Sequence, residues 1–431
     1  MPTRGAIFRG LVDICGMRFV RLAGATDTVA GVPASWVAAP ATVDGVAATV
    51  RFAAEHDLAV VARGAGTKLD WGSRPTRADL VLDTARLAGV WHHPPGEFLA
   101  EIGAGTPLRA VQAVLSQSRR RLALDSPSAG ATIGGLIAAD ESGPLAHRYG
   151  TAADQILGVS YVNGDGTLTH SGDTDQGVGR LLCGSFGALG VLVSATFRVH
   201  VEPAARAWVQ RSVWTPLELY DLVREVQASS VQVAAVELDL PTTKPVLVPR
   251  QRAPRGPGTL AILLEGEPGA VAERSTRIVD LLGGDAEVRT EAPPWWGRYP
   301  FGAGDVALRI TVPTADLHAA IYAVRDAAGV TVPVRGSAGA GVIHAALPGA
   351  PSPIGSPRSW RPSAAYCSGG PAPASSCPPR PRCGRPSTCG VQARAPTSYA
   401  GSRTASTRGT GWRPEDFSAS KVEVALPCST P

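Results

Sequence analysis

Apolar positions upstream of Pro203 fall into short runs whose period switches repeatedly between the strand and the helix value. Trp36 and Val37 lead through Pro40 and Thr42 into an amphipathic helical pattern over about 43–55. The run 58–62 then reads as a strand ending at Arg63, which makes a β-α-β unit. Further strands are predicted at 80–82 and 98–102. Thr106 and Pro107 supply an N-cap and a first-turn proline for a helix reaching about Gln117. A short strand at 122–124, a longer one at 156–162 and the turn NGDG at 163–166, which leads into 167–170, complete the set.

After Glu202 and Pro203 the pattern becomes one of alternating strands and helices. Strands are predicted near 206–213, 233–239, 259–265 and 306–312, and helices begin near Thr215 and Pro216, near Gly269 and near Thr314. The expected class is α+β: an N-terminal segment at 1–30, a first domain at 31–203 and a second at 204–349. The second is expected to be a ferredoxin-like sheet with helices on one face, seated over the first domain's ligand.

Glycine punctuates three strand ends in the first domain, in RGAGTKLDWG at 63–72, GATIGG at 130–135 and GSFGALGVLV at 184–193. Glycine at such points lets a backbone approach a ligand and turn several N–H groups toward an anion such as a pyrophosphate. Thr132 adds one oriented hydroxyl. The spacing does not fit the GxGxxG fingerprint of a nicotinamide site. His92 and His93 precede Pro94 and Pro95 and read as a turn, not a metal site, while Asp83 and Asp165 fit strand-end and hairpin roles.

Composition narrows the picture. The 431 residues are 44% hydrophobic, enough for two or three cores, and no apolar run is long enough for a membrane helix or signal block. A soluble, cytoplasmic protein is expected. The net charge of +5 sits in residues 351–431, which hold ten Lys or Arg against three Asp or Glu, so residues 1–350 carry a net −2 and nucleic-acid binding is not expected. Cys367, Cys377, Cys383, Cys389 and Cys428 also lie there, at no zinc spacing. With 14 prolines and only five Leu, Ile or Val, segment 350–431 is expected to be disordered.

The segments WVAAPAT at 36–42, RGAGTKLDWG, LALDSPSAGATIGG at 122–135, SGPLAHRYGTAADQILGV at 142–159, LLCGSFGALGV at 181–191 and PPWWGRYPF at 293–301 occur in one order. In this the chain resembles the p-cresol methylhydroxylase and vanillyl-alcohol oxidase superfamily of FAD-binding domains, and within it the FAD-binding subunit of bacterial glycolate oxidase. The resemblance runs from about Arg18 to Gly349. It implies a two-part FAD-binding domain and oxidation of a small 2-hydroxy acid by hydride transfer to flavin. Electrons would pass to a separate iron–sulfur subunit, with a second flavin subunit also present. Association with the inner face of the cytoplasmic membrane would come through those partners.

By that resemblance Arg63, Gly64, Ala65, Gly66, Thr67, Lys68 and Gly72 wrap the pyrophosphate. Pro127, Gly130, Ala131, Thr132, Ile133, Gly134 and Gly135 approach the pyrophosphate and flavin. Ser142, Gly143, Arg148, Tyr149 and Gly150 line the flavin side, and Gly187, Gly190 and Val191 hold the adenine end. Thr67 stands where covalent relatives often carry histidine, so FAD is expected to be bound non-covalently. Arg298 and Tyr299 are candidates for holding the substrate carboxylate.

Three departures from the family pattern stand out. Asp140 and Glu141 place charge near an anionic cofactor, residues 172–179 are about six residues shorter than in relatives, and the tail differs. A shifted reading frame across about 355–414 yields helix and strand patterning that resembles the family's C-terminal end. The alternative readings are a non-catalytic FAD-binding or assembly subunit, or an inactive frameshifted remnant.

Overall fold

The computed structural model describes residues 3–172, 176–241, 258–302, 304–329, 332–347, 403–405 and 421–425. The N-terminal unit is built on two sheets. In the first, Val20–Leu22 pairs antiparallel with Trp36–Ala38, which runs parallel to Leu80–Asp83, itself parallel to Val60–Arg63. Helix Val43–Glu55 is the crossover that a parallel pair requires, and Thr42 caps it by accepting from the Gly45 N–H at 3.0 Å. Helix Arg4–Cys15 packs beside it, so Ile7, Leu11, Trp36, Ala53 and Leu80 close a small core.

The second sheet is antiparallel, in the order Leu168–Ser171, Ile156–Val162, Val191–Arg198, Leu99–Gly103, Val90–His92. Helices Leu108–Ser116 and Ile133–Ala138 cover it through Val111, Leu115, Leu136, Ile137 and Phe197. Two local expectations shift here. The first helix starts at Leu108 with Pro107 at its N-cap, because the Thr106 hydroxyl donates to Gly103 O at 2.6 Å and is not free to cap. Residues 122–124 are buried but form no strand; the pairing falls on Arg120–Arg121 with His200–Val201.

The C-terminal unit contains a βαββαβ run: Ala205–Val213, helix Pro216–Ala228, Ala235–Leu240, Gly258–Gly266, helix Pro268–Leu282 and Glu287–Arg289. Its strands lie in the order fourth, first, third, second. The sheet is larger than the ferredoxin-like unit expected. Ala235–Leu240 also bonds to Val334–Ser337, and the sheet continues through Val342–Leu347 and Val306–Thr311 to nine strands among the described residues. Helix Leu317–Ala328, preceded by the turn Thr314–Asp316, joins the other two helices on one face.

The outermost strands correct the reading of 350–431 as wholly disordered. Lys421–Ala425 pairs with Val306–Thr311, and Arg403–Ala405 pairs with it in turn. Val422 and Val424 supply the period-two alternation that a strand needs. The rest of that expectation, and the shortened loop at 173–175, lie outside the described residues.

Strand alternation gives the large sheet two chemically distinct faces. Val236, Leu238, Leu308, Ile310, Val334, Ile343 and Ala345 point into the helix-covered core. Their neighbours Glu237, Asp239, Arg309, Arg335, Ser337 and His344 therefore face the N-terminal unit.

Candidate cofactor and substrate site

The first two glycine segments meet directly. Thr132 caps helix Ile133–Ala138, its hydroxyl accepting from Gly135 N at 3.3 Å, and a Cβ built on Gly64 would lie only 2.1 Å from that hydroxyl. No side chain fits at 64 without displacing the cap. Gly134 N donates to Ala104 O at 2.8 Å, so the helix start lies against the second sheet. The third segment docks at the other end of this helix, where Gly184 N donates to Ile137 O at 3.1 Å and Phe186 N to Ala138 O at 2.8 Å. Gly130 and Gly187 have open space where a Cβ would stand, whereas Gly190 lies against Val162 O just before Val191 begins its strand. Removing the cap hydroxyl with Thr132→Ala should destabilise the unit by about 1 kcal/mol in urea titration.

The Arg63 side chain is held within the N-terminal unit. Its guanidinium lies 2.7 Å from Asp27 Oδ1 and 2.7 Å from Asp83 Oδ2, so the side chain is committed inside the protein. Hydrogen bonds from Arg21 and from Arg63, against the effect of burial, hold Asp27 well below the usual carboxylate range. The side chain thus braces the strand end from which the loop leaves.

Lys68 joins the two units. Its ammonium is 3.1 Å from Glu141 Oε2, donates to Tyr299 Oη at 2.9 Å and lies 4.3 Å from the centre of the Trp71 ring. Tyr299 in turn donates to Glu141 Oε1 at 2.9 Å, and Ser128 N donates to the same oxygen at 3.0 Å. Asp140 is 3.3 Å from Arg309. The two acids expected to burden an anionic cofactor are thus each charge-paired, and the expected repulsion is offset.

The aromatic segment at 293–301 separates its two candidates. Tyr299 is in the cluster, stacked on Phe301 at 4.5 Å and edge-on to His344 at 4.8 Å. Arg298 is exposed; its backbone N–H donates to Trp295 O at 3.2 Å and its carbonyl accepts from Arg335. Arg335 also donates to Tyr299 O at 3.0 Å and pairs with Asp239 at 2.8 Å. Arg309, Arg335 and His344 were not singled out in the sequence; the signal available was a charged or imidazole side chain within each of three otherwise largely apolar strands. Burial and the negative Glu141 push the Tyr299 phenol well up, so it stays protonated as a donor. Burial, with the Arg309 and Lys68 charges, pushes His344 down to about 3, so its imidazole is neutral.

On the 142–150 stretch, Gly143 begins a turn over Asp125, and Tyr149 Oη accepts from Arg121 at 3.0 Å. Arg121 makes a buried ion pair with Glu265 of the large sheet at 2.7 Å. Arg148 is not brought to the Lys68 cluster: it is exposed beside a groove of about 420 Å³ that His147, Val226, Gln227 and Gln232 also line.

A family described as FAD binding domain matches residues 34–172, the stretch that carries the first two glycine segments. This region thus matches an FAD-binding domain. FAD is its cofactor. The chain is 31% identical over 176 residues to D-lactate dehydrogenase of Archaeoglobus fulgidus, an alignment that covers 38% of this chain and 39% of that one. It is 30% identical over 162 residues to glycolate oxidase subunit GlcE of Escherichia coli, covering 36% and 46%. The chain thus spans less than half the length of these two curated relatives. An uncharacterized FAD-linked oxidoreductase of Mycobacterium tuberculosis is 24% identical across 73% of this chain and 75% of its own. Among solved structures, p-cresol methylhydroxylase with substrate bound superposes with a TM-score of 0.62 at 15% identity, covering 80% of this chain and 82% of that one. The fold is therefore shared across both units. No helix among the described residues is long and apolar enough to cross a membrane.

Proposed function

We propose that the chain is an FAD-dependent oxidoreductase subunit acting on a small 2-hydroxy acid such as glycolate. The observation that carries this reading is the polar face of the C-terminal sheet, where Arg309, Arg335 and His344 gather with Lys68 and Tyr299 beside the glycine cradle. Gly130 and Gly187 support this reading, since the space where their Cβ would stand is open for a cofactor to approach. Backbone N–H groups of 64–68 and those of Gly130 and Thr132 would hold the pyrophosphate, 142–150 would flank the flavin, and Gly187, Gly190 and Val191 would hold the adenine end. When bound there, FAD would supply a hydride acceptor. The chain's own task is to hold the substrate carboxylate near Arg309 and Arg335, with the Lys68 and Tyr299 cluster beside them. A bound carboxylate would also offset the positive field on His344 and raise its basicity toward the substrate hydroxyl proton.

No histidine occurs in 63–72, which favours non-covalent FAD. Among the described residues only Cys15 and Cys183 are cysteines, and burial pushes the Cys183 thiol up to about 12. Electrons would leave to a separate iron–sulfur subunit, in a cytoplasmic assembly that includes a second flavin subunit. We also read residues 355–414 as the product of a shifted frame, which sequencing of the gene decides.

The test is visible absorption of the purified chain supplied with FAD. Flavin should appear in the acid supernatant after precipitation, and anaerobic glycolate or lactate should bleach it. Flavin that binds but is bleached by no 2-hydroxy acid, with partner subunits present, supports the non-catalytic alternative. No bound flavin supports the inactive remnant.

A further inference from the structure

Glu141 stands where three separate segments meet. Its Oε1 accepts from the Ser128 backbone N–H at 3.0 Å and from Tyr299 Oη at 2.9 Å, and its Oε2 lies 3.1 Å from Lys68 Nζ. Ser128 leads into the second glycine segment, Lys68 belongs to the first, and Tyr299 comes from the C-terminal unit. Donors from distant parts of the chain thus converge on one carboxylate. Its side chain is 2% exposed and that of Lys68 10%, so water replaces little of what they give each other.

A cation, a hydroxyl and a backbone N–H in reach of two oxygens make up the donor set that a carboxylate ligand would need. The chain fills this set with a carboxylate of its own. Burial works against the ionised Glu141, yet the Lys68 charge and the hydrogen bonds from Ser128 and Tyr299 outweigh it and hold the acid below its ordinary value. The neighbouring cations are matched in the same way. Arg309 is 3.3 Å from Asp140 and Arg335 is 2.8 Å from Asp239, so Lys68, Arg309 and Arg335 each face one acid of the chain. With His344 neutral, these charges balance. One incoming carboxylate can share the several donors of Arg309 and Arg335, but a second adds a charge that no remaining cation meets.

We propose that Glu141 is a specificity-determining residue: its carboxylate occupies the place that the distal carboxylate of a dicarboxylic 2-hydroxy acid would take, and so restricts the chain to monocarboxylic ones. This rests on the 2-hydroxy-acid reading above and narrows its substrate class. A dicarboxylate brought against Glu141 meets a like charge where water is scarce, and the donors it needs are already in use. Shortening Glu141 empties the donor set, removes none of its donors and leaves the Lys68 charge unpaired.

The test uses the full chain supplied with FAD. Propionate and succinate, unreactive acids with one and two carboxylates, are compared by thermal shift at matched ionic strength, and lactate and malate by bleaching of the flavin. The unaltered chain should bind propionate more tightly than succinate and be bleached faster by lactate than by malate. Glu141→Ala should raise the succinate-to-propionate affinity ratio by about 10- to 100-fold, and the malate-to-lactate rate ratio with it. Acetate, small enough to enter the emptied donor set, should raise the midpoint of this variant by about 3 °C more than that of the unaltered chain. Glu141→Gln keeps an acceptor for Ser128 and Tyr299 while freeing the Lys68 charge, and should move the ratios the same way by less. It decides the matter if the alanine variant does not fold. Equal affinity of the unaltered chain for the two acids, or an unmoved ratio in a folded variant, overturns the proposal. Failure of every 2-hydroxy acid to bleach bound flavin overturns the oxidoreductase reading instead, and propionate and succinate still decide the part played by Glu141.

Discussion

Arg121→Ala should destabilise the docked structure by about 3 kcal/mol, because it strands a buried carboxylate. Glu265 is 2% exposed at its side chain and Arg121 7%, so neither charge has water to fall back on. Arg206 also reaches Glu265, at 3.0 Å, but is 42% exposed and replaces only part of the lost interaction. The expected readout is a lower urea midpoint for the first unfolding transition. Its pH dependence is a further check. Burial works against the ionised Glu265, yet hydrogen bonds and charge from Arg121 and Arg206 outweigh it and hold the acid below its ordinary value. A depressed carboxylate contributes stability above its unfolded value and loses it as pH falls through the folded one. The variant should therefore differ most from the unaltered chain near pH 7 and converge with it in acid.

Gly64→Val should weaken FAD binding by roughly 10- to 100-fold, the equivalent of about 1–3 kcal/mol of overpacking. The cause is the 2.1 Å approach of a side chain at 64 to the Thr132 hydroxyl, which forces the first two glycine segments apart. Fluorescence titration with FAD measures it. Thr132→Gly in the same chain relieves the clash while keeping a residue tolerated at an N-cap, and should restore part of the affinity. Unchanged affinity in Gly64→Val would remove the first loop from the cofactor site.

Local pattern revealed the elements better than the partnerships. The β-α-β opening, the NGDG hairpin and the helix beginning at Pro216 are each set by residues within a few positions, and each lies where expected. The nine-stranded sheet was not legible, because the bonding of Ala235–Leu240 to Val334–Ser337 joins segments about a hundred residues apart. Lys68 and Tyr299 were both picked out, for separate duties. Their contact depends on how two units dock, which no local pattern encodes. Arg309 and His344 were missed for the same reason: a polar residue in a strand declares a face, not what the face meets.

Among the described residues the backbone crosses from the N-terminal unit to the large sheet once, between His200–Val201 and Ala205–Val213. A single tether fixes little orientation, so the alignment of the two bodies falls to the groups that meet between them, charges among them. These alternate in sign: Arg121 of the first unit meets Glu265 of the second, whereas Asp140 of the first meets Arg309 of the second. A swivel that carried one pair onto the other's place would set Arg121 against Arg309 and Asp140 against Glu265. The interface therefore works as a polarised key, in which misalignment is repelled as well as unrewarded.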